Sequence, residues 1–186
     1  MLKAMNQTVM HSYPGMVALV TAKYNDKQNI MAAGWHSYIS YEPPIYGVSI
    51  AKERYTYDLI ANSKEFAINF VSAEHVHYIQ HCGITSGRDT DKFSELGIKI
   101  QTGKTISAPI LSEAYVAYEC RVTNIIPLGD HDWIVGNITQ FYKDENKFAS
   151  NGLPDFSEIS IPLYLGRSKY KLLNKQDDTI DLYTKD

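Results

Sequence analysis

The chain has 186 residues, of which 44% are hydrophobic and 21% charged. That fits one domain over residues 1–186, with a core that needs neither metal nor disulfide. A net charge of −3 argues against a general nucleic-acid binder, whose phosphate affinity rests on surplus Lys and Arg. No window approaches the roughly 20 apolar residues of a membrane span. Residues 1–10 lack an apolar signal-peptide core, so a cytoplasmic protein with no membrane partner is expected.

Residues 16–22 (MVALVTA) are a short apolar, β-branched run and read as a strand. Asn25-Asp26 signals a turn. Residues 30–41 look extended and half-apolar until Pro43-Pro44, where proline cannot donate to a sheet ladder. Residues 45–51 are a further strand. Residues 57–62 read as a short helix with Thr56 as its N-cap and Asp58 in its first turn. Residues 65–71 are a strand, and residues 73–82 a helix closed by Gly83. After a loop at 86–88, residues 90–96 form a short helix ended by Gly97. Two longer strands, 114–126 and 133–142, are joined by the turn 127–132. The tail from about residue 171 is polar and charged, and its final stretch reads as loosely ordered. Strands dominate, and few are followed by a long helix, so a doubly wound parallel sheet does not fit. A mainly β, antiparallel barrel with short helices does, and closure would remove its sheet edges.

Nucleotide fingerprints are missing: there is no GxGxxG after a strand, no GxxxxGK[ST] and no GxSxG elbow. More informative is Ala51-Lys52-Glu53-Arg54-Tyr55-Thr56. A strand ends, two cations follow at a spacing of two, and a hydroxyl residue opens a helix. Helix-start N–H groups, Lys52, Arg54 and Thr56 together can cradle a phosphate. The same residues also read as a solvated loop before a capped helix. The second segment is 29–44, NIMAAGWHSYISYEPP. Ala32, Ala33 and Gly34 let backbone approach a flat ligand. Trp35, His36, Ser37 and Tyr38 add rings, a hydroxyl and donors, a mixture that suits an isoalloxazine ring. Taken by itself, the segment is better read as a strand whose aromatics fill the core. Fourteen tyrosines suit cofactor walls and subunit contacts.

Other polar groups read as ordinary structure. His77 and His81 stand four apart near His75 and Cys82, a spacing that can chelate metal, but there is no HExxH and no evident third ligand. No metal is expected. Asp89, Asp91 and Glu95 suit capping of a short helix. Cys82 and Cys120 form no CxxC pair and read as small buried hydrophobes; the sequence leaves a disulfide between them open.

The order Thr21, Asn29, Trp35-His36-Ser37, Pro43-Pro44, Lys52, Arg54, Thr56 and Glu65-Phe66-Ala67-Ile68-Asn69-Phe70 resembles the flavin reductase-like family, including the flavoredoxins. Ser86-Gly87, Asp91-Lys92-Phe93, Tyr118-Glu119-Cys120-Arg121-Val122, Gly129-Asp130-His131 and Val135-Gly136-Asn137-Ile138 continue it, over roughly residues 10–170. The resemblance implies an FMN-binding split β-barrel, antiparallel and Greek-key-like, and a homodimer with FMN near the subunit interface. Residue by residue, it implies that Ala33, Gly34, Trp35, His36, Ser37 and Tyr38 lie along the flavin ring. Ala51, Lys52, Arg54, Tyr55 and Thr56 hold the phosphate. Ser86, Gly87, Tyr164 and Arg167 close the site, from the same chain or its partner, and His131 sits in the hairpin turn before Gly136. Two functions stay open: an NAD(P)H-dependent flavin reductase serving a small-molecule or protein electron acceptor, and an FMN-loaded electron carrier. A related barrel holding another flat cofactor is the third.

Overall fold

The computed structural model describes residues 1–8 and 14–182. Residues 9–10 of the N-terminal stretch and residues 183–186 of the tail lie outside the described residues. In chain order the elements are β1 (Ala18–Tyr24), β2 (Lys27–Ala33), β3 (His36–Tyr41), β4 (Pro44–Ala51), α1 (Tyr55–Ser63) and β5 (Glu65–Val71). There follow α2 (Val76–Ile84), α3 (Lys92–Leu96), β6 (Ile100–Gln101), β7 (Ile110–Leu111), β8 (Ala114–Leu128), β9 (His131–Lys143), β10 (Ile161–Gly166) and β11 (Lys169–Leu173).

Seven strands form one sheet in the order β2-β1-β5-β8-β9-β4-β3, every neighbouring pair antiparallel. The two edge strands, β2 and β3, are consecutive in the chain, with Gly34 and Trp35 alone between them. The sheet must therefore curl until its edges meet at that corner, which makes it a barrel. β1 and β2 form one hairpin and β3 and β4 another, and β5 then returns beside β1 in a Greek-key-like path.

Alternation sorts the side chains. Ala18, Val20 and Ala22 of β1 join Phe66, Ile68 and Phe70 of β5, with Val48, Ile50 and Ile134, in the barrel interior. The opposite face of β1, represented by Leu19, packs under Tyr78, Ile79, Cys82 and Phe93 from α2 and α3. β1 is buried on both faces, which is why its sequence is a continuous apolar run. Leu59 and Ile60 of α1 join the interior cluster, so α1 packs onto the barrel core. Buried polar groups fasten the 102–111 segment. The Thr21 hydroxyl donates to Pro109 O at 2.6 Å, and Leu111 N donates to Asn69 Oδ1 at 3.0 Å. Glu119, fully buried, accepts from Lys104 N and Thr105 N, both at 2.6 Å, and from the Thr105 and Tyr142 hydroxyls. Burial favours its protonated form, but the four hydrogen bonds outweigh that and hold the carboxyl below its usual range.

Several elements differ from the sequence expectations. The extended stretch 30–41 is broken at Gly34-Trp35 into two strands. Thr56 is not an N-cap. That position is Arg54, which makes no side-chain cap bond, while Thr56 is buried in the first turn. Gly83 does not close α2, which runs to Ile84; Thr85 caps it, its hydroxyl donating to His81 O at 2.8 Å. With a hydroxyl serving that end, no left-handed glycine is required. Gly97 does end α3 in the left-handed region, at φ 63°. Strand pairing reaches into the polar tail, to Leu173. β11 pairs with β10, and Lys171 and Asp177 form an ion pair at 3.0 Å. Both cysteines are buried free thiols.

Candidate functional site

The β2–β3 corner, where the barrel edges meet, opens onto a cleft of about 340 Å³. Its walls are Ala33, Gly34 and Trp35 at the corner, Ala51 at the end of β4, Arg54, Tyr55 and Thr56 at the start of α1, and the turn Ser86-Gly87-Arg88. The corner is pinned by Ser49 N, which donates to Trp35 O at 2.9 Å. The Trp35 side chain is 41% exposed, with its ring 4.8 Å from the His131 ring and tilted by 54°. An aromatic left half open at a barrel corner is a ready wall for a flat ligand.

The opposite end of the cleft is polar and cationic. At the start of α1, Tyr57 N donates to Arg54 O at 3.0 Å, and the N–H groups ahead of it belong to the part of a helix that lacks intrahelical partners. Asn29 Nδ2 donates to Thr56 Oγ1 at 2.9 Å, which leaves the Thr56 hydroxyl hydrogen to donate elsewhere. A Cβ at Gly87 would stand 2.1 Å from Asn29 Oδ1, so the turn lies directly on β2 because residue 87 has no side chain. Arg88 locks the turn to α1: Nη1 donates to Glu53 O and Nη2 to Asp58 Oδ2, both at 2.8 Å. Its guanidinium lies 5.4 Å from the Tyr55 ring centroid. Lys92 also lines the cleft and is 2% exposed. Its Nζ donates to Ile30 O at 3.0 Å and to Cys82 O at 3.1 Å. An ammonium has three hydrogens, so one remains for the cleft. Burial lowers its pKa, and the like charge of Arg54 adds to this, against an opposing influence of Cys82. Burial pushes the Cys82 thiol up to about 11, away from the low-pKa setting of a reactive thiolate.

Of the residues expected from sequence, the cleft brings together Ala33, Gly34, Trp35, Ala51, Arg54, Tyr55, Thr56, Ser86 and Gly87. The others stand elsewhere in this chain. Lys52 pairs with the buried Asp132 at 3.3 Å. Asp132 also accepts from the Tyr57 hydroxyl at 2.7 Å, a bond that with burial pushes Tyr57 up to about 12. His36 turns away from the cleft. Its Nε2 lies 3.1 Å from Met16 O and its Nδ1 2.7 Å from the Tyr46 hydroxyl. A carbonyl only accepts, so Nε2 donates and Nδ1 accepts from Tyr46. Burial lowers the His36 pKa, partly offset by the Met16 bond. Ser37 donates to Tyr38 O at 2.7 Å, and Tyr38 packs edge-on to Tyr46 and Tyr118. Tyr164 lines a second, neighbouring cleft. Arg167, in the β10–β11 turn at φ 52°, lines neither of these two clefts.

Asn29, Arg88, Lys92 and His131 were not singled out as site residues, yet all four line the first cleft. The signal available for Asn29, Lys92 and His131 was their place in ordered motifs, and Arg88 had none; the long-range pairings that bring Arg88 to Glu53 and Lys92 to Ile30 leave no local pattern.

Comparison with known proteins agrees with this geometry. Residues 10–174 match the flavin reductase-like domain. An uncharacterized protein of Aeropyrum pernix is 32% identical over 158 residues, covering 84% of this chain and 59% of that one. The structure of an FMN-binding protein from Thermus thermophilus, with bound 1-cyclohex-2-enone, superposes with a TM-score of 0.84 at 28% identity, covering 97% of this chain and 100% of that one. The flavoredoxin of Desulfovibrio vulgaris gives 0.83 at 29% identity, covering 96% and 97%. With its fold, its corner cleft and the match along nearly its whole length, the chain belongs to the flavin reductase-like family.

Proposed function

We propose that the first cleft binds FMN and that the chain works as a flavoprotein oxidoreductase. The observation that carries this reading is the meeting, in one cleft, of a cationic helix start with a small-residue aromatic corner. The residues fit the group. Arg54, Tyr55, Thr56, Ser86 and Arg88 would hold its phosphate, with the backbone at Gly87 free of a side chain. Ala33, Gly34 and Trp35 would flank its ring system. When bound, FMN supplies the capacity to take up electrons and pass them on. The chain's part is to bind and orient. The Thr56 hydroxyl and the Lys92 ammonium would offer donors, and the Trp35 and His131 rings would stand beside the ring system at the corner.

In the enzyme form of this reading, NADH or NADPH reduces the flavin and a small-molecule or protein acceptor removes the electrons. The resemblance to a flavoredoxin favours a second form, an electron carrier without nucleotide turnover. A homodimer is part of the proposal. Tyr41 is 91% exposed, with Tyr38 and Phe141 near half-exposed beside it in sequence or through Tyr118 stacking, a concentration of aromatic surface that suits a symmetric contact.

Steady-state oxidation of NADH and NADPH with added free FMN tests the reading. Turnover identifies a reductase. Tight FMN binding without turnover identifies a carrier. Neither binding nor turnover overturns the proposal.

A further inference from the structure

The turn that follows α2 is tied down on both sides. Within it, Asp89 N and Thr90 N donate to Ser86 O at 3.1 and 3.3 Å. At its end, the Thr90 hydroxyl donates to Glu95 Oε2 at 2.6 Å, which fastens it to α3. On the other side Arg88 reaches across to α1. One arm of its guanidinium ends on Glu53 O and the other on Asp58 Oδ2, each at 2.8 Å, and the group lies over the Tyr55 ring. These three partners flank Arg54, the N-cap position of α1. Arg88 is thus a strap from one wall of the cleft to the other, drawn past the helix start. A guanidinium has five N–H donors, and the two used here leave others for a phosphate.

The ends of the strap differ. Glu53, Tyr55 and Arg88 line the cleft, and Asp58, in the first turn of α1, does not. The Arg88 and Asp58 side chains are 46% and 54% exposed. The latch therefore stands at the outer rim, where an ion pair is worth least, and it can open without disturbing the core.

We propose that the Arg88–Asp58 strap makes this cleft selective for a flavin mononucleotide over a flavin dinucleotide, by closing the rim at the phosphate end. The proposal rests on the FMN reading of the cleft. A terminal phosphate needs room at the α1 start for its own oxygens alone. A dinucleotide needs a way out, because its second phosphate, ribose and base must continue past that point, where the bonds from Arg88 to Glu53 O and Asp58 lie. The cleft, at about 340 Å³, is at the small end of ligand pockets, about 300–1,000 Å³, and leaves little space for a second nucleotide inside. To let one pass, Arg88 must give up both acceptors, and the Asp58 carboxylate then stands unpaired beside an incoming diphosphate of like charge. Asp58 is a positioning residue here: it acts through Arg88.

The test is titration calorimetry with FMN and with FAD on the flavin-free wild type and on Asp58→Ala and Asp58→Glu. The wild type is expected to bind FMN at least about tenfold more tightly than FAD. Asp58→Ala should narrow that ratio by about threefold to fivefold, in keeping with an exposed ion pair, chiefly by tightening FAD. Asp58→Glu keeps a carboxylate within reach of Arg88 and should restore the ratio. A purely structural loss weakens both flavins, and removal of one negative charge near a phosphate favours both, so neither effect moves the ratio. Arg88→Ala removes the strap together with a cation of the cradle, so FMN should weaken more than FAD. A wild type that binds FMN and FAD equally, or a ratio unchanged in Asp58→Ala, would overturn the strap and leave the FMN reading standing. A wild type that binds neither flavin would overturn both.

Discussion

Asn29 donates to the Thr56 hydroxyl across 2.9 Å, and this bond joins β2 to the first turn of α1 at the floor of the cleft. The other end of the same carboxamide rests against Gly87. One side chain of β2 therefore sets the spacing of both walls that face the proposed phosphate.

Gly87→Ala should accordingly destabilise the protein by about 1–3 kcal/mol, the usual cost of overpacking, and weaken FMN binding as the turn moves off β2. If Asn29 is the obstacle, the cost shrinks in the Asn29→Ala background, where the atoms that the new methyl meets are gone. Denaturant midpoints on the four proteins of this cycle measure the coupling. Additive costs would place the strain elsewhere.

The cations divide by where they stand. Arg54 and Arg88 line the cleft; Lys52 faces Asp132. Arg54→Ala and Arg88→Ala should each weaken FMN by about 1.5–3 kcal/mol, the range for a hydrogen bond to a charged group. Lys52→Ala should cost about 0.2–1 kcal/mol of stability, as for a partly exposed ion pair, with FMN affinity little changed. Titration calorimetry of the three variants checks the ordering. A loss of FMN affinity in Lys52→Ala equal to that in Arg54→Ala would move Lys52 into the cradle.

His36 makes a pH prediction. Its folded pKa is lowered from 6.5 by burial, so the neutral ring is the folded form. As pH falls below 6.5, the unfolded chain takes up the proton first, and this contribution to stability declines until the folded pKa is passed. The slope from one such group is at most about 1.4 kcal/mol per pH unit. Unfolding free energies measured between pH 5 and 8 should therefore fall more steeply with acid in the wild type than in His36→Asn. Parallel curves would show that His36 titrates alike in both states.

Much of this fold can be read locally. The hairpin at Asn25-Asp26, the two-faced burial of β1 and the capping of α3 by Asp91 follow from turn chemistry, periodicity and an acidic side chain before a helix. Ala33, Gly34 and Trp35 were legible as candidate wall residues and do line the cleft, but the corner they form was not, because the stretch 30–41 reads as continuous. Thr56 shows where local reading stops. A hydroxyl at a helix start looks like a cap, but its partner, Asn29, is 27 positions away. Lys92 is similar, since nothing around it in sequence indicates that its ammonium is buried on the carbonyls of β2 and α2. β11 was lost at the start of a polar tail, and its order comes from pairing with β10. His36 and Tyr38 point away from the cleft because alternation along β3 and the bond to Met16 turn them, a choice that composition does not record.

The central claim is that the cleft recognises the phosphate of FMN, and the direct measurement is the affinity of flavin-free protein for FMN beside riboflavin, which has the same ring and no phosphate. Titration calorimetry gives both constants, and quenching of Trp35, removed in Trp35→Phe while Trp133 remains, reports whether the ring reaches the corner. Two charge-assisted contacts at about 1.5 kcal/mol or more each predict FMN binding at least about a hundredfold tighter, with quenching that depends on Trp35. Equal affinities for FMN and riboflavin would contradict the account.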